Sequence, residues 1–307
     1  MKASVIVPCH PRNRETLRRT LDSLEAAEGG REAEIVVVED TEGRGPSWAR
    51  NRGLCKATGE VVFFCDADDT VRHGFFSAPL AALERTGAEM CLFTYPGGPR
   101  LDTRTYDGAD AVRARFLPAF FGYSFDDVRR WNAGGALGAR REMGQVWRCA
   151  FRRRFLESRS IRFDEAITLF EDAAFLSECV AFARRVATIG DELYDYAPAD
   201  TGNLADGWRS RRHWDYKFQS LAFRRRLAAK AGEEVWRWCE ASCVLSALEM
   251  MRMWRMAGLS RAEYRADLAR YLADDRVRAA LGDFPISWTR HPLVAAAVSY
   301  LRRSSRK

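Results

Sequence analysis

Two acidic clusters are the residues of this chain whose types and spacing best suit chemistry. The first, Asp66-Ala67-Asp68-Asp69, follows directly on the apolar run Val61 to Cys65. Carboxylates this close repel and raise one another's pKa unless a cation neutralises them. A hard divalent ion with oxygen ligands, Mn2+ or Mg2+, meets that need and can leave positions open for substrate phosphates. The plainer alternative is an acidic turn capping the next helix, with Asp69 or Thr70 at its N-cap. The second cluster is Glu171-Asp172, which comes after Arg162-Phe163-Asp164-Glu165 and Phe170 and opens an apolar helical stretch. Carboxylates at a helix start are favoured by the macrodipole, so a simple cap is again the alternative.

From residue 3 to about residue 95, short β-rich runs alternate with amphipathic stretches, the pattern of a βαβ-built parallel sheet. Strand one is Ser4 to Val7, and a helix follows from about Glu15 with Leu17, Leu21 and Leu24 at helical spacing. Strand two is Glu34 to Val38, ending in Glu39-Asp40 and a Gly-rich loop; the next helix carries Arg50-Asn51-Arg52-Gly53 and closes near Gly59. Strand three is Val61 to Cys65. Ligands of such sheets bind beyond the carboxyl ends of the strands, so Pro8-Cys9, Glu39-Asp40 and Asp66 to Asp69 should converge on one pocket. Residues 96 to 135 are rich in Gly, Pro and aromatics and read as an irregular or small-sheet region. A helix from about Phe170 to Ala183 and a strand around Val186 to Ile189 come next. The pattern is helical from about residue 205 to 301, including Glu234 to Met256 and Arg261 to Leu272. Its Met250, Met251, Met253, Trp254 and Met256 read as core packing.

The 307 residues, 47% hydrophobic and 30% charged, suit a soluble globular protein long enough to bury a core. The net charge of +7 favours anionic partners without choosing among nucleotide phosphates, nucleic acid and an acidic membrane. Arg152 to Arg154, Arg224 to Arg226 and the tail Arg302 to Lys307 read as solvated faces or as a polyanion patch. Eight cysteines lie scattered without a CxxC pair, which suggests buried free thiols in a reducing cytoplasm rather than a zinc site or disulfide framework. The opening apolar stretch is too short for a signal-peptide core, and no run approaches the ~20 residues that span a bilayer. Apolar Pro292 to Leu301 ahead of the basic tail leaves peripheral attachment at the inner face of the membrane open.

In four stretches the chain resembles the large family-2 glycosyltransferases of bacteria, which make capsules, exopolysaccharides and other glycoconjugates. These are Ser4 to His10, Glu34 to Asp40, Ala49 to Gly53 running through Gly59-Glu60 into Asp66 to Asp69, and Trp147 to Asp172. Leu193-Tyr194-Asp195-Tyr196 with Gly202-Asn203-Leu204 is a weaker echo. The resemblance implies a GT-A fold, α/β and Rossmann-like with a mostly parallel central sheet and flanking helices, over residues 1–204. Residues 205–307, not covered by it, form a helical C-terminal appendage. It further implies a nucleotide-sugar donor, an acceptor hydroxyl and metal-assisted inverting transfer. Pro8 and Cys9 then resemble the wall beside the base, Asp40 the carboxylate that receives a uracil N–H, and Arg50 and Asn51 the helix flanking the donor. Asp66, Ala67 and Asp68 match the DxD segment, with Asp68 the direct metal ligand and Asp66 or Asp69 reaching the ribose or a metal-bound water. Asp172 matches the aspartate base of the ED motif, with Glu171 beside it.

The chemistry is coherent. A metal on the departing diphosphate stabilises its developing charge, and a carboxylate on the opposite side takes the acceptor's proton. There are departures. Many relatives carry a His a few residues after the Tyr-x-Tyr strand, where this chain reads Ala197-Pro198-Ala199-Asp200-Thr201, so Asp200 or water would fill that place. His10 stands where Tyr is common and would line the donor site; His213 reads as a surface histidine, the alternative being that it swings over the diphosphate alongside Arg211 or Arg212. Other functions to weigh are a catalytically silent nucleotide-sugar-binding partner of a polysaccharide assembly complex, and nucleic-acid binding, for which the Arg-rich helices lack aromatic interleaving. A nucleotidyltransferase would want a Gly-rich phosphate loop after strand one, where this chain has Pro8-Cys9-His10-Pro11.

Overall fold

The computed structural model describes residues 1–137, 144–197 and 211–305. Asp200, Gly202-Asn203-Leu204, the boundary at 204/205, Arg306 and Lys307 lie outside them. In chain order the elements are β1 (Ala3–Cys9), α1 (Arg14–Ala26), β2 (Glu34–Glu39), α2 (Pro46–Lys56), β3 (Val61–Phe64), β4 (Thr70–Val71) and α3 (Ser77–Thr86). Next come β5 (Met90–Thr94), β6 (Arg104–Asp107), α4 (Ala109–Phe120), α5 (Phe125–Asn132), β7 (Cys149–Arg152), α6 (Arg153–Ser158), α7 (Glu171–Phe182), β8 (Arg185–Glu192) and β9 (Tyr194–Asp195). The helices α8 (Arg211–Ala231), α9 (Glu240–Met253), α10 (Arg261–Leu272), α11 (Asp275–Asp283) and α12 (Pro292–Ser304) follow.

The seven-stranded sheet has the order β2-β1-β3-β7-β5-β8-β6. Strands β1, β2, β3, β5 and β8 point one way, while β7 and β6 run against them, so the sheet is mostly parallel as expected. β3 and β5 are buried along their whole length, which is why they read as continuous apolar runs rather than alternating ones. Register puts Cys9 beside Glu39, and the Cys65 N–H donates to the Ile6 carbonyl at 3.0 Å, so the ends of the first three strands meet. A separate ribbon pairs β4 with β9, Thr70 opposite Asp195.

The chain forms two compact units. One comprises the described residues of Met1–Phe116, Glu142–Glu165 and Phe170–Thr201, the other those of Leu117–Arg141, Ala166–Leu169 and Gly202–Lys307. The division is thus not a single cut. Residues 117–137, expected in the first domain, cluster with the later helices because Phe125, Val128 and Trp131 of α5 pack into the core of that unit. The stretch 96–135 is also more regular than its composition suggests, holding β6, α4 and α5. Ser124 and Asp127 close a capping box at the head of α5 that outweighs the neighbouring glycines.

Within the helical unit, Met250 and Met253 are buried as expected, but Met256 is 46% exposed, since a 3-10 turn at Glu233–Trp238 and the end of α9 shorten the expected helix. His213 is not a surface residue: it is buried in the first turn of α8, with Nε2 3.1 Å from Lys217 Nζ. All eight cysteines are free and seven are buried; Cys55 is exposed. Among the described residues no helix is long and apolar enough to cross a membrane.

Candidate functional site

The site of the sheet unit begins with a close approach. Gly53 sits so near β1 that a Cβ there would lie 2.2 Å from Ile6 Cγ2. This lets α2 lie flat on the strand and turns Arg50, three residues earlier on the same face, into the sheet's carboxyl end. The Arg50 side chain is 4% exposed. Its Nη2 donates to Asp66 Oδ1 at 3.0 Å, and its Nη1 to Asp172 Oδ1 at 2.6 Å and Glu171 Oε1 at 3.3 Å. One guanidinium thereby joins carboxylates from the end of β3 and the head of α7. Its Nε is buried without a hydrogen-bond partner.

The floor of the cluster is aromatic. Phe163 and Phe175 stack at 4.0 Å, Phe64 meets both edge-on, and the Arg50 guanidinium lies 5.4 Å over the Phe163 ring. Burial works against the charge on Arg50, but Asp172, Asp66 and Glu171 outweigh it and raise its pKa. Asp172 is pushed up by burial, with Arg50 opposing. Its second oxygen accepts the Val146 N–H at 3.1 Å, so both oxygens are anchored. Phe170, the residue before this pair, is 39% exposed and adopts the left-handed region at φ 59°, a conformation that costs a bulky residue about 1–2 kcal/mol.

The Asp66 to Asp69 loop is held from below by α1. Thr16, Arg19 and Thr20, at i, i+3 and i+4 on one helix face, donate to the consecutive carbonyls of Ala67 (2.9 Å), Asp68 (2.7 Å) and Asp69 (2.8 Å). From the other side Tyr194 Oη donates to Asp69 Oδ2 at 2.6 Å and accepts the Asp66 N–H at 3.0 Å. Trp147 stacks on the Tyr194 ring at 4.1 Å.

This disposes the expected site residues unequally. Asp69, expected near the metal, is buried, and its other oxygen accepts the Ala197 N–H at 2.7 Å, so both oxygens are taken. Burial and then Asp66 push its pKa up to about 7. Asp68 is half-buried and its carboxylate has no partner from another residue among those described; burial, then Asp66, raise its pKa. No group of three or more His, Cys, Asp or Glu among the described residues is gathered for a metal. Asp68 with the remaining oxygen of Asp66 still suits Mg2+ or Mn2+, ions that protein sites hold through one or two carboxylates plus substrate phosphates.

Asp40, expected to face a base, is buried with its two oxygens accepting the Arg44 and Gly45 N–H groups at 2.8 and 2.7 Å, an Asx-type closure of the loop. Its neighbour Glu39 is exposed at the end of β2, 3.0 Å from Arg14. Asn51 clamps the segment before α7: Nδ2 donates to the Phe163 carbonyl and Glu165 Oε1, and Oδ1 accepts the Phe163 N–H. Both its donors are used. Pro8 and Cys9 line the end of β1, where burial and then Glu39 raise the Cys9 thiol pKa. His10 is exposed, its Nδ1 accepting the Arg12 N–H at 3.2 Å. The sequence suggested no part for Val146, Thr16, Arg19 or Thr20, and Tyr194 entered only within the weaker echo Leu193 to Tyr196. The i, i+3, i+4 set on α1 was the one legible signal among them.

Comparison with known proteins bears on the family and the fold. The chain is 28% identical over 215 residues to the succinoglycan biosynthesis protein ExoO of Rhizobium meliloti (strain 1021), covering 59% of this chain and 57% of that protein. It is 29% identical over 170 residues to the uncharacterised glycosyltransferase EpsJ of Bacillus subtilis (strain 168), covering 54% and 45%. The chain thus spans about half the length of the curated relatives it matches. Its fold superposes on the crystal structure of S. aureus TarS 1–349 with a TM-score of 0.51 at 18% identity, over 99% of this chain and 88% of the other. The fold is GT-A. The sequence profile of Glycosyl transferase family 2 matches residues 35–188, half the chain, from β2 through Arg50, Asp66 and Asp172 into β8, and this protein belongs to that family.

Proposed function

We propose that this protein is an inverting glycosyltransferase that moves a sugar from a nucleotide diphosphate, a UDP-sugar, to an acceptor hydroxyl on a carbohydrate or other molecule, with Asp172 as general base. The observation that carries the reading is that one buried guanidinium bridges Asp66 and Asp172, which brings the carboxylate at the donor end of the sheet and the one heading α7 to the same place. The donor class is supported by family membership and by TarS, whose fold it shares and which has been solved with UDP-GlcNAc.

In this reading Pro8 and Cys9 wall the base. Exposed Glu39 receives its N–H in place of Asp40, whose oxygens already close the loop. Mn2+ or Mg2+ would be held by Asp68 and the remaining oxygen of Asp66, and would stabilise charge on the departing diphosphate. The acceptor O–H gives its proton to Asp172 while its oxygen bonds the anomeric carbon. The bond from that carbon to the diphosphate breaks, with the electron pair leaving on phosphate. A single displacement inverts the centre and needs no covalent nucleophile. Burial, opposed by Arg50, makes Asp172 a better base; Arg50 and the Val146 N–H orient its two oxygens, and the proton goes to a lone pair that these bonds leave open. Glu171 helps hold Arg50. Attachment to a membrane also belongs to the reading.

The test is thermal shift with UDP, GDP, CDP and dTDP, with and without Mn2+, beside transfer assays. A metal-dependent rise with one nucleotide, lost in Asp68→Ala, is expected. Asp172→Asn should keep that rise and lower transfer by about 10² to 10⁴ fold. Donor binding with no turnover on any acceptor would favour a silent binding partner, and no nucleotide response at all would overturn the reading.

A further inference from the structure

The two faces of α12 are unlike. Ala295, Val298 and Leu301 are buried, the latter two in the core of the helical unit. At 100° per residue Leu293, Ala296, Tyr300 and Arg303 fall on the opposite side. All four are exposed, Leu293 to 85% and Tyr300 to 50%. Trp288, just ahead of the helix, is 57% exposed. Its exposure is held in place. The His291 ring stacks on Trp131 at 3.8 Å, the Ser287 N–H donates to Asn132 Oδ1 at 3.2 Å, and Asn132 Nδ2 donates to the Pro285 carbonyl.

The charge within the segment that carries this stripe has one sign. From Ile286 to Lys307 the sequence contains five Lys and Arg and no Asp or Glu. Arg302 is occupied, donating to the carbonyls of Leu281, Gly282 and Phe284. Arg290 and Arg303 are exposed, and among the described residues neither has a carboxylate in ion-pair reach.

We propose that the outer face of α12, together with Trp288, docks on an anionic lipid bilayer. Trp and Tyr rings suit the headgroup level, a leucine beside them reaches the acyl boundary, and unpaired arginines meet lipid phosphates. A second copy of the chain is disfavoured as occupant, because a two-fold contact would set the arginines of this segment against their own copies. A nucleic acid would use the arginines but leave the apolar stripe in water.

The proposal rests on the membrane attachment included in the reading above, to which it gives a surface and a lipid class, but not on transfer itself, and its test needs no turnover. The full chain is sedimented with vesicles of phosphatidylcholine alone and of an equimolar mixture with phosphatidylglycerol. Binding to the mixture, little binding to phosphatidylcholine, and release by salt are expected. Leu293→Glu and Trp288→Glu should each lower binding about tenfold. Arg290→Glu with Arg303→Glu should lower it on the mixture only. Because these side chains are exposed, all variants should keep the wild-type Tm, which separates lost binding from lost folding. Absence of binding to the mixture, or Leu293→Glu binding as wild type does, would overturn the proposal. So would a lipid-free dimer that Leu293→Glu dissociates.

Discussion

Arg50 of the sheet unit and Arg224 of the helical unit are both buried and are held differently; Arg148, the sheet unit's other buried arginine among the described residues, resembles Arg224 in donating its Nε to a backbone carbonyl, that of Phe93. In the sheet unit Arg50 is wrapped by Asp66, Glu171 and Asp172. In the helical unit Arg224 is 8% exposed, and its Nε donates to the Phe121 carbonyl at 3.2 Å just past the end of α4, while Nη1 has no partner. The second arrangement satisfies an orphan carbonyl at a helix end. The first gathers more negative charge than one cation balances, an excess that folding alone does not call for and that a cation or a transferring proton would relieve. Burial by itself therefore does not distinguish the two arginines; the surplus of carboxylates around Arg50 does.

The largest effect that would test this contrast is the loss of Arg50. Arg50→Ala leaves three clustered carboxylates without their common counter-charge, and urea unfolding should show a destabilisation of about 3–5 kcal/mol. A loss as small as that of a surface residue would dissolve the contrast.

Next comes pH. The Asp69 carboxyl, raised to about 7 in the fold, binds its proton more tightly there than in the unfolded chain. Its contribution is full below about pH 4 and is lost as pH rises through about 7. The stability of wild type relative to Asp69→Asn, followed by Tm without metal, should therefore fall between those limits and level off above them. A flat difference would mean that burial does not control this group.

Gly53→Ala should cost about 1–3 kcal/mol, because the new methyl meets the branched side chain of Ile6 in the packed sheet, and transfer should fall with it as Arg50 is displaced. The smallest effect is reserved for Arg224→Met. Losing one hydrogen bond is offset by removing a buried, carboxylate-free charge, so the change should stay within about 1 kcal/mol.

Much of the sheet half was legible because its signals are local. Continuous β-branched and aromatic runs made β1, β2 and β3, and acidic residues directly after β3 and at the start of α7 stood out by type and position. The helices of 96–135 were obscured by Gly and Pro that fall outside α5, although Ser124 and Asp127 spelled its cap. Which acids remain available was beyond the sequence. Asp40, Asp66, Asp68 and Asp69 look alike in a string of letters, yet their exposure depends on partners such as Gly45, Arg50, Tyr194 and Ala197, the last two more than a hundred residues away from Asp69.

The sequence by itself determined the strand and helix order, the family, and the two acidic clusters, because periodicity and residue type act over a few neighbours. Only the tertiary structure decided that Arg50 joins those clusters across 122 residues, that Asp69 and Asn51 are already engaged, and that α12 keeps an apolar, basic face outward. Hydrogen bonds and desolvation depend on distance in space, which the chain order does not contain.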